Sequence, residues 1–368
     1  MKKQRIFTKK HFAPLLILVA AFLLLAAPKV NVSAASKKPG AVTGFTAKSD
    51  YDFSSGGIKL KWKKVRYAKY YEIYWKKSKK GKFKYLDATY TSDYRCGINS
   101  DFQLNKTYYF KVRAVNGKKK GKFSPVKSAK AVLGKPFLDN LSLKSENSVS
   151  IKIAGYGYNT ELYRATSKNG KYSKIKTFKK SHSYDFYTDA NLLPGEYFYK
   201  ARSYKKVKGK KIYSKFSSVK SIIVPKKVEI TMDNWMQYYE VSPCNSEIYY
   251  NAFGEIECLY HQHTLQLKNN YTLHDSHYND IAKSSIAVEA EYTVHEQEAI
   301  IDWQTGKITP GAIVSDEYTC TQTGSISEND DFYFMNEHLS KSYENPTIET
   351  IENVTMKRIQ GTIYLDKW

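Results

Sequence analysis

Arginine is scarce in this chain of 368 residues, with 7 against 52 lysines. Guanidinium forks are the usual means of reading base edges and phosphate geometry, so their scarcity argues against sequence-specific nucleic-acid recognition and leaves lysine, a point charge. Cysteine is nearly absent as well, and the spacing of Cys96, Cys244, Cys258 and Cys320 matches no zinc framework. There is no long cofactor-binding fingerprint and no Arg-Gly-Asp tripeptide. After the first 35 residues no apolar run approaches the roughly 20 residues that span a bilayer. Long segments of helical period are few, which excludes a helical bundle.

Acids are missing from one half of the chain only. Residues 36–227 hold 46 lysines and arginines against 12 acids, whereas residues 228–368 hold 7 against 23. The formal net charge of +24 therefore conceals a polycation joined to a polyanion.

What is present suffices for folded cores, since 42% of the residues are hydrophobic and 15% aromatic. At about 100–200 residues per domain the chain has room for two or three domains. Residues 1–35 have the tripartite pattern of a signal peptide: Lys2, Lys3, Arg5, Lys9 and Lys10, then an apolar stretch from Phe12 to Ala27, then Ser33-Ala34-Ala35 as a cleavage site. Left uncleaved, the segment would act as an N-terminal anchor. Once it is removed, a secreted chain without a membrane span is expected. An exported chain permits disulfides. Cys244, Cys258 and Cys320 are candidates for one, with the pairing open.

Internal comparison shows a duplication. Tyr71-Glu72-Ile73-Tyr74 aligns with Thr160-Glu161-Leu162-Tyr163, Gly81-Lys82-Phe83 with Gly170-Lys171-Tyr172, and Tyr108–Ala114 with Tyr197–Ser203. The match resumes at Lys122-Phe123-Ser124 against Lys215-Phe216-Ser217 after a short loop insertion. Within each copy the period is two. Tyr108, Phe110, Val112 and Ala114 alternate with Tyr109, Lys111 and Arg113, as a half-buried strand requires. Short alternating strands punctuated by Lys-Gly and Asn-Gly turns predict antiparallel β-sandwiches.

Trp62 on an early strand, Ala68, Tyr71 and Ile73 on the next, and Leu104 before Tyr108, Phe110, Val112 and Ala114 resemble a fibronectin type III domain. The Lys- and Tyr-rich version of surface proteins from Gram-positive bacteria is the nearest in character. The second copy keeps the corner Leu193-Pro194-Gly195-Glu196-Tyr197 but has Ile153 or a neighbour in place of the tryptophan. The resemblance implies a scaffold and binding role, with Trp62, Tyr71, Tyr108 and Tyr197 in cores and corners. The expected division is a leader at 1–35, fibronectin type III-like modules at 36–133 and 134–225, and an acidic β-rich, sandwich-like domain at 226–368. The whole is expected to be all-β.

Lysines gather in hairpins and on outward strand positions. Lys76, Lys77, Lys79 and Lys80 form one group, Lys118, Lys119 and Lys120 another, and Lys205, Lys206, Lys208, Lys210 and Lys211 repeat the late hairpin in the second copy. Lysine blunts strand edges. An excess of this size also draws acidic polymers. The expected partner is anionic cell-wall polymer or another extracellular polyanion, recognised by charge density. The rival expectation makes the repeats spacers and the C-terminal domain the ligand-binding or hydrolytic unit. The oligomeric state is not legible.

In the acidic domain, Thr231 or Asp233 is placed to cap a helical turn through Asn234–Tyr239, and a strand is expected over 254–268. Ile286, Val288, Ala290, Tyr292 and Val294 alternate as a strand with one wet face, 299–303 reads as strand leading into a turn, and 355–365 as a closing strand. The opening of the domain resembles an uncharacterised module at the ends of secreted Gram-positive proteins, which brings no activity. His261 with His263 and His274 with His277 form pairs that burial among Leu259, Leu265 and Leu267 explains as well as a metal does. Neither Asp275-Ser276-His277 nor the pair Glu289 and Glu291 makes a case for catalysis. No catalytic, cofactor or metal residues are assigned.

Overall fold

The computed structural model describes residues 37–181, 183–242, 245–250, 256–275, 281–302, 304, 307–314, 318–327, 332–335 and 347–368. The expected leader lies outside the described residues, as do Cys244 and His277.

Strand alternation builds the first sandwich. Its strands are β1 (Thr46–Ser49), β2 (Ile58–Lys61), β3 (Tyr70–Lys76) and β4 (Lys84–Thr89). They continue with β5 (Asp93–Cys96), β6 (Thr107–Asn116), β7 (Lys119–Lys120) and β8 (Lys127–Lys130). One sheet has the order β1-β2-β5, the other β4-β3-β6-β7 with β8 also on β6. On β6 the expected residues Tyr108, Phe110, Val112 and Ala114 are buried. Trp62 is buried edge-on to Tyr71 at 5.2 Å between ring centroids, as the resemblance implies.

The second copy repeats the order. It consists of β9 (Phe137–Ser145), β10 (Ser148–Ala154), β11 (Asn159–Ala165) and β12 (Ser173–Phe178). After these come β13 (Asp185–Asp189), β14 (Gly195–Val207), β15 (Lys210–Tyr213) and β16 (Lys220–Val224). Its sheets run β13-β10-β9 and β12-β11-β14-β15, with β16 on β14. Ile151 and Ile153 fill the core without a tryptophan. Tyr197 makes the expected corner, its hydroxyl donating to the Leu193 carbonyl at 2.8 Å.

The C-terminal part opens with β17 (Lys226–Ile230), α1 (Trp235–Tyr238) and β18 (Tyr239–Val241). Its strands then run β19 (Asn245–Tyr250), β20 (Ile256–Leu267), β21 (Thr272–Leu273) and β22 (Ser285–Asp302). The last four are β23 (Lys307–Ile313), β24 (Tyr318–Ser327), β25 (Phe332–Met335) and β26 (Thr347–Lys367). Here β17-β26-β22-β23 form a sheet joined by β21 and β24, and β18-β20-β19 form another joined by β25. Ile286, Val288, Ala290, Tyr292 and Val294 are buried, as their alternation predicts. The helical turn starts from Asn234 and not from Thr231 or Asp233. The Asn234 side chain accepts from the Thr231 amide at 2.9 Å and donates to the Glu229 carbonyl at 2.8 Å, which fixes the preceding turn instead of capping the helix. Among the described residues the chain is all-β apart from this turn, and each of its two repeats is a β-sandwich.

Contact density divides the chain into two compact units. Among the described residues, one is made of 37–47 with Leu60–Tyr94 and Tyr108–Ser128, the other of Lys48–Lys59, Arg95–Thr107 and the described part of Ala129–Trp368. Within the second unit the apolar cluster of the second sandwich takes in Ala282 and Tyr364 from the C-terminal part. The Tyr364 hydroxyl donates to Glu146 at 2.7 Å. A tight backbone approach also lies in this unit. Gly56, with φ +75°, leaves no room for a Cβ against the Gly134 nitrogen and the Val132 carbonyl oxygen.

Candidate functional site

The outward face of each five-stranded sheet is a ladder of cross-strand pairs. In the first copy Glu72 stands opposite Arg113, Tyr74 opposite Lys111, and Lys76 opposite Tyr109. In the second, Glu161 faces Arg202, Tyr163 faces Lys200, and Ala165 faces Phe198. Alternation puts these side chains outside. The rings and long stems then cover part of this face so well that Glu72, Glu161 and Ala165 are buried.

Each buried carboxylate is satisfied by the same three partners. Arg113 reaches Glu72 at 2.6 Å, Lys120 at 3.1 Å, and the Tyr74 hydroxyl at 3.2 Å. Around Glu161 the distances are 3.2 Å from Arg202, 3.0 Å from Lys211 and 2.6 Å from Tyr163. Burial alone would raise both carboxyls. Hydrogen bonds from Arg113 and Lys120 on Glu72, and from Tyr163 and Lys211 on Glu161, together with the nearby cations, outweigh it and hold both below the usual carboxylate range. Burial and the bond to Glu161 push the Tyr163 phenol up to about 12.

Aromatic rings hold the remaining cations. Lys111 Nζ lies 3.9 Å from the centre of the Phe123 ring and 4.5 Å from that of Phe83. Lys200 Nζ lies 3.7 Å from Tyr172 and 4.7 Å from Phe216. Such contacts contribute about 0.5–1 kcal/mol each at exposed sites. The rings of Phe83, Phe123, Tyr172 and Phe216 are thus each in contact with one of the protein's own cations.

Of the twelve lysines singled out from sequence, Lys120 and Lys211 are tied to buried glutamates. Lys76 donates to the Lys79 carbonyl at 2.7 Å. Lys77, Lys79, Lys80, Lys118, Lys119, Lys205, Lys206, Lys208 and Lys210 are exposed, and among the described residues none has a carboxylate partner. Four arginines of the repeats pair with buried acids: Arg113 and Arg202 as above, Arg95 with Asp50 at 3.0 Å, and Arg164 with Asp189 at 2.9 Å. Lysine dominates the surface by number, and these guanidinium forks are taken up by buried carboxylates. Sequence reading missed Lys111, Lys200 and the two glutamates as members of a cluster. Their recurrence at equivalent positions of the two copies was the available signal.

In the C-terminal part, His274 Nδ1 lies 2.7 Å from Asp366, and both border a cavity of about 420 Å³ also lined by Leu143, Glu196, Ile222 and Ile281. His261 and His263 lie on β20. Among the described residues no cluster of three metal-ligating side chains forms. Glu291 is paired with Lys357 at 2.8 Å on an exposed face. Cys320 is half-buried and not in a disulfide, while the side chain of Cys258 lies outside the description.

No family model and no curated protein matches the chain. Solved structures that are similar to it are fibronectin type III domains. A mutant of FN3tt is 26% identical with a TM-score of 0.22, over 26% of this chain and 97% of that one. The two-domain fibronectin type III segment from chicken tenascin is 16% identical with a TM-score of 0.27, over 51% and 98%. The FN1–FN3 domains of chicken CNTN1 are 13% identical with a TM-score of 0.26, over 51% and 68%.

Proposed function

We propose that the chain is an exported, noncatalytic binding protein of a Gram-positive cell envelope, whose two Lys-rich modules contact anionic wall polymer. The carrying observation is the set of exposed lysines without carboxylate partners, which recurs at the β6–β7 hairpin and at its counterpart between β14 and β15. A patch of one sign with no internal neutralisation attracts polyanions by long-range field and by counterion release. The signal-peptide pattern supports export, and sandwiches of this kind commonly serve in adhesion and binding.

Residues 36–368 should cosediment with isolated Gram-positive walls at about 50 mM salt and be released at about 0.5 M, where the screening length falls to a few Å. Equal binding at both salts, or none at the lower, would overturn the reading.

A second reading makes the C-terminal part the ligand-binding unit, and the cavity beside His274 and Asp366 favours it. Deleting residues 228–368 is a poor test, because Ala282 and Tyr364 belong to the apolar cluster of the second sandwich. Substituting His274→Ala and Asp366→Asn should instead abolish capture of a soluble ligand while wall association persists. Capture unchanged in both variants would reject this reading.

A further inference from the structure

Of the three rungs described above, the two ladders differ at the last, and the difference concentrates positive charge. Lys76 of the first copy is replaced by Ala165 in the second, so Lys200 has no second ammonium at the equivalent place. Lys76 and Lys111 are diagonal neighbours on the outward face, and both ammoniums lie against one ring, 4.6 and 4.5 Å from the centre of Phe83. Lys76 also approaches the Tyr109 ring at 5.8 Å, and its bond to the Lys79 carbonyl occupies one of its three N–H donors. Glu72, the acid of the neighbouring rung, is taken by Arg113 and Lys120. Among the described residues neither Lys76 nor Lys111 has a carboxylate partner. Burial first, then the neighbouring charges of Arg113 and Lys76, hold the Lys111 ammonium below the ordinary lysine range. Like charges are thus kept together by rings and backbone with no counter-ion built in.

We infer that Lys76 and Lys111, positioned by Phe83, Phe123 and Tyr109, form an oxyanion seat for the phosphate groups of an anionic polymer, present in the first module and absent from the second. The inference rests on the polyanion reading above and assigns it a place and a ligand chemistry. The occupant is a multi-oxygen anion, because two separate ammoniums lie over one ring and each keeps donors that no carboxylate takes. The exposed hairpin lysines add attraction without geometry.

The test measures binding of poly(glycerol phosphate) by calorimetry at fixed low salt, with residues 36–368 as the protein. The double variant Lys76→Met and Lys111→Met keeps the apolar stems and should bind about tenfold more weakly, the loss expected for two charge-assisted bonds. The charge-matched double variant Lys118→Met and Lys119→Met should stay within about twofold. Ala165→Lys should raise affinity by supplying the missing rung in the second module. Equal losses in the two double variants would overturn the seat while leaving diffuse polyanion binding standing. No binding by the unmodified protein would overturn both. If the first double variant fails to fold, Ala165→Lys decides, and no gain rejects the seat. Inorganic phosphate at equal phosphate concentration should bind far more weakly than the polymer, and equal binding would reject the polymer as the ligand.

Discussion

Arg113 places two guanidinium nitrogens on one oxygen of the buried Glu72, at 2.6 and 2.7 Å, and Arg202 stands in the same relation to Glu161 in the second copy. A carboxylate with a side chain only 2% exposed, as Glu161 has, is stable there only because charged donors surround it. The pair ties β3 to β6, or β11 to β14, and its lysine adds the following hairpin strand.

Glu161→Ala should therefore destabilise the second module more than a surface substitution does. Removing one partner of a buried ion pair costs about 3–5 kcal/mol, and the partial exposure of Arg202 lowers the expectation to about 2–3 kcal/mol. The midpoint of urea unfolding reads this directly, and an unchanged midpoint would show that the pair is not structural.

Acid should weaken the fold through the same residues. Glu72 and Glu161 are held below the ordinary value of 4.5, so their contribution is present above that value and is lost as pH falls through the lower folded one. Stability followed from pH 6 downward should decline from about pH 5, and Glu161→Gln should flatten the decline. A decline of the same slope in the variant would assign it to other carboxylates.

Cys96 is buried, and burial pushes its thiol up to about 12. It should remain unmodified by a thiol reagent at pH 8 in the folded protein and react only on unfolding, whereas half-buried Cys320 should react first. Peptide mapping after brief alkylation distinguishes them, and rapid labelling of Cys96 would contradict its placement.

Tyr364 joins the C-terminal part to the second sandwich through its ring and through the bond to Glu146. Tyr364→Phe should cost about 1 kcal/mol, the usual net value of one hydrogen bond, and Tyr364→Ala about 3 kcal/mol or more through the cavity it leaves. Calorimetry should show Tyr364→Ala broadening or splitting the transition, and a single sharp transition at the original temperature would show that the joint carries little.

Much of the architecture is readable along the chain. The alternation at Tyr108–Ala114 and at Ile286–Val294 assigns strands and faces because successive side chains on an extended backbone point to opposite sides. The start of the helical turn was misplaced, since Thr231, Asp233 and Asn234 are all capping types and only the turn before it shows that Asn234 occupies the cap. The candidate site was half legible. Exposed hairpin lysines follow from composition, but Lys120 and Lys118 look alike in sequence, and only the position of Glu72 across the sheet separates them.

The sequence alone determined the duplication, the strand period and the division of charge between the halves, because each is a property of neighbouring residues or of their count. The tertiary structure decided which cations are neutralised and which remain free. Arg113 is 41 residues from Glu72, and Tyr364 is 218 from Glu146. Such pairs are set by strand order and register, which local pattern does not encode. Lys76 and Lys111 become one charged cluster for the same reason: antiparallel pairing of β3 with β6 brings them onto one face, beside a single ring.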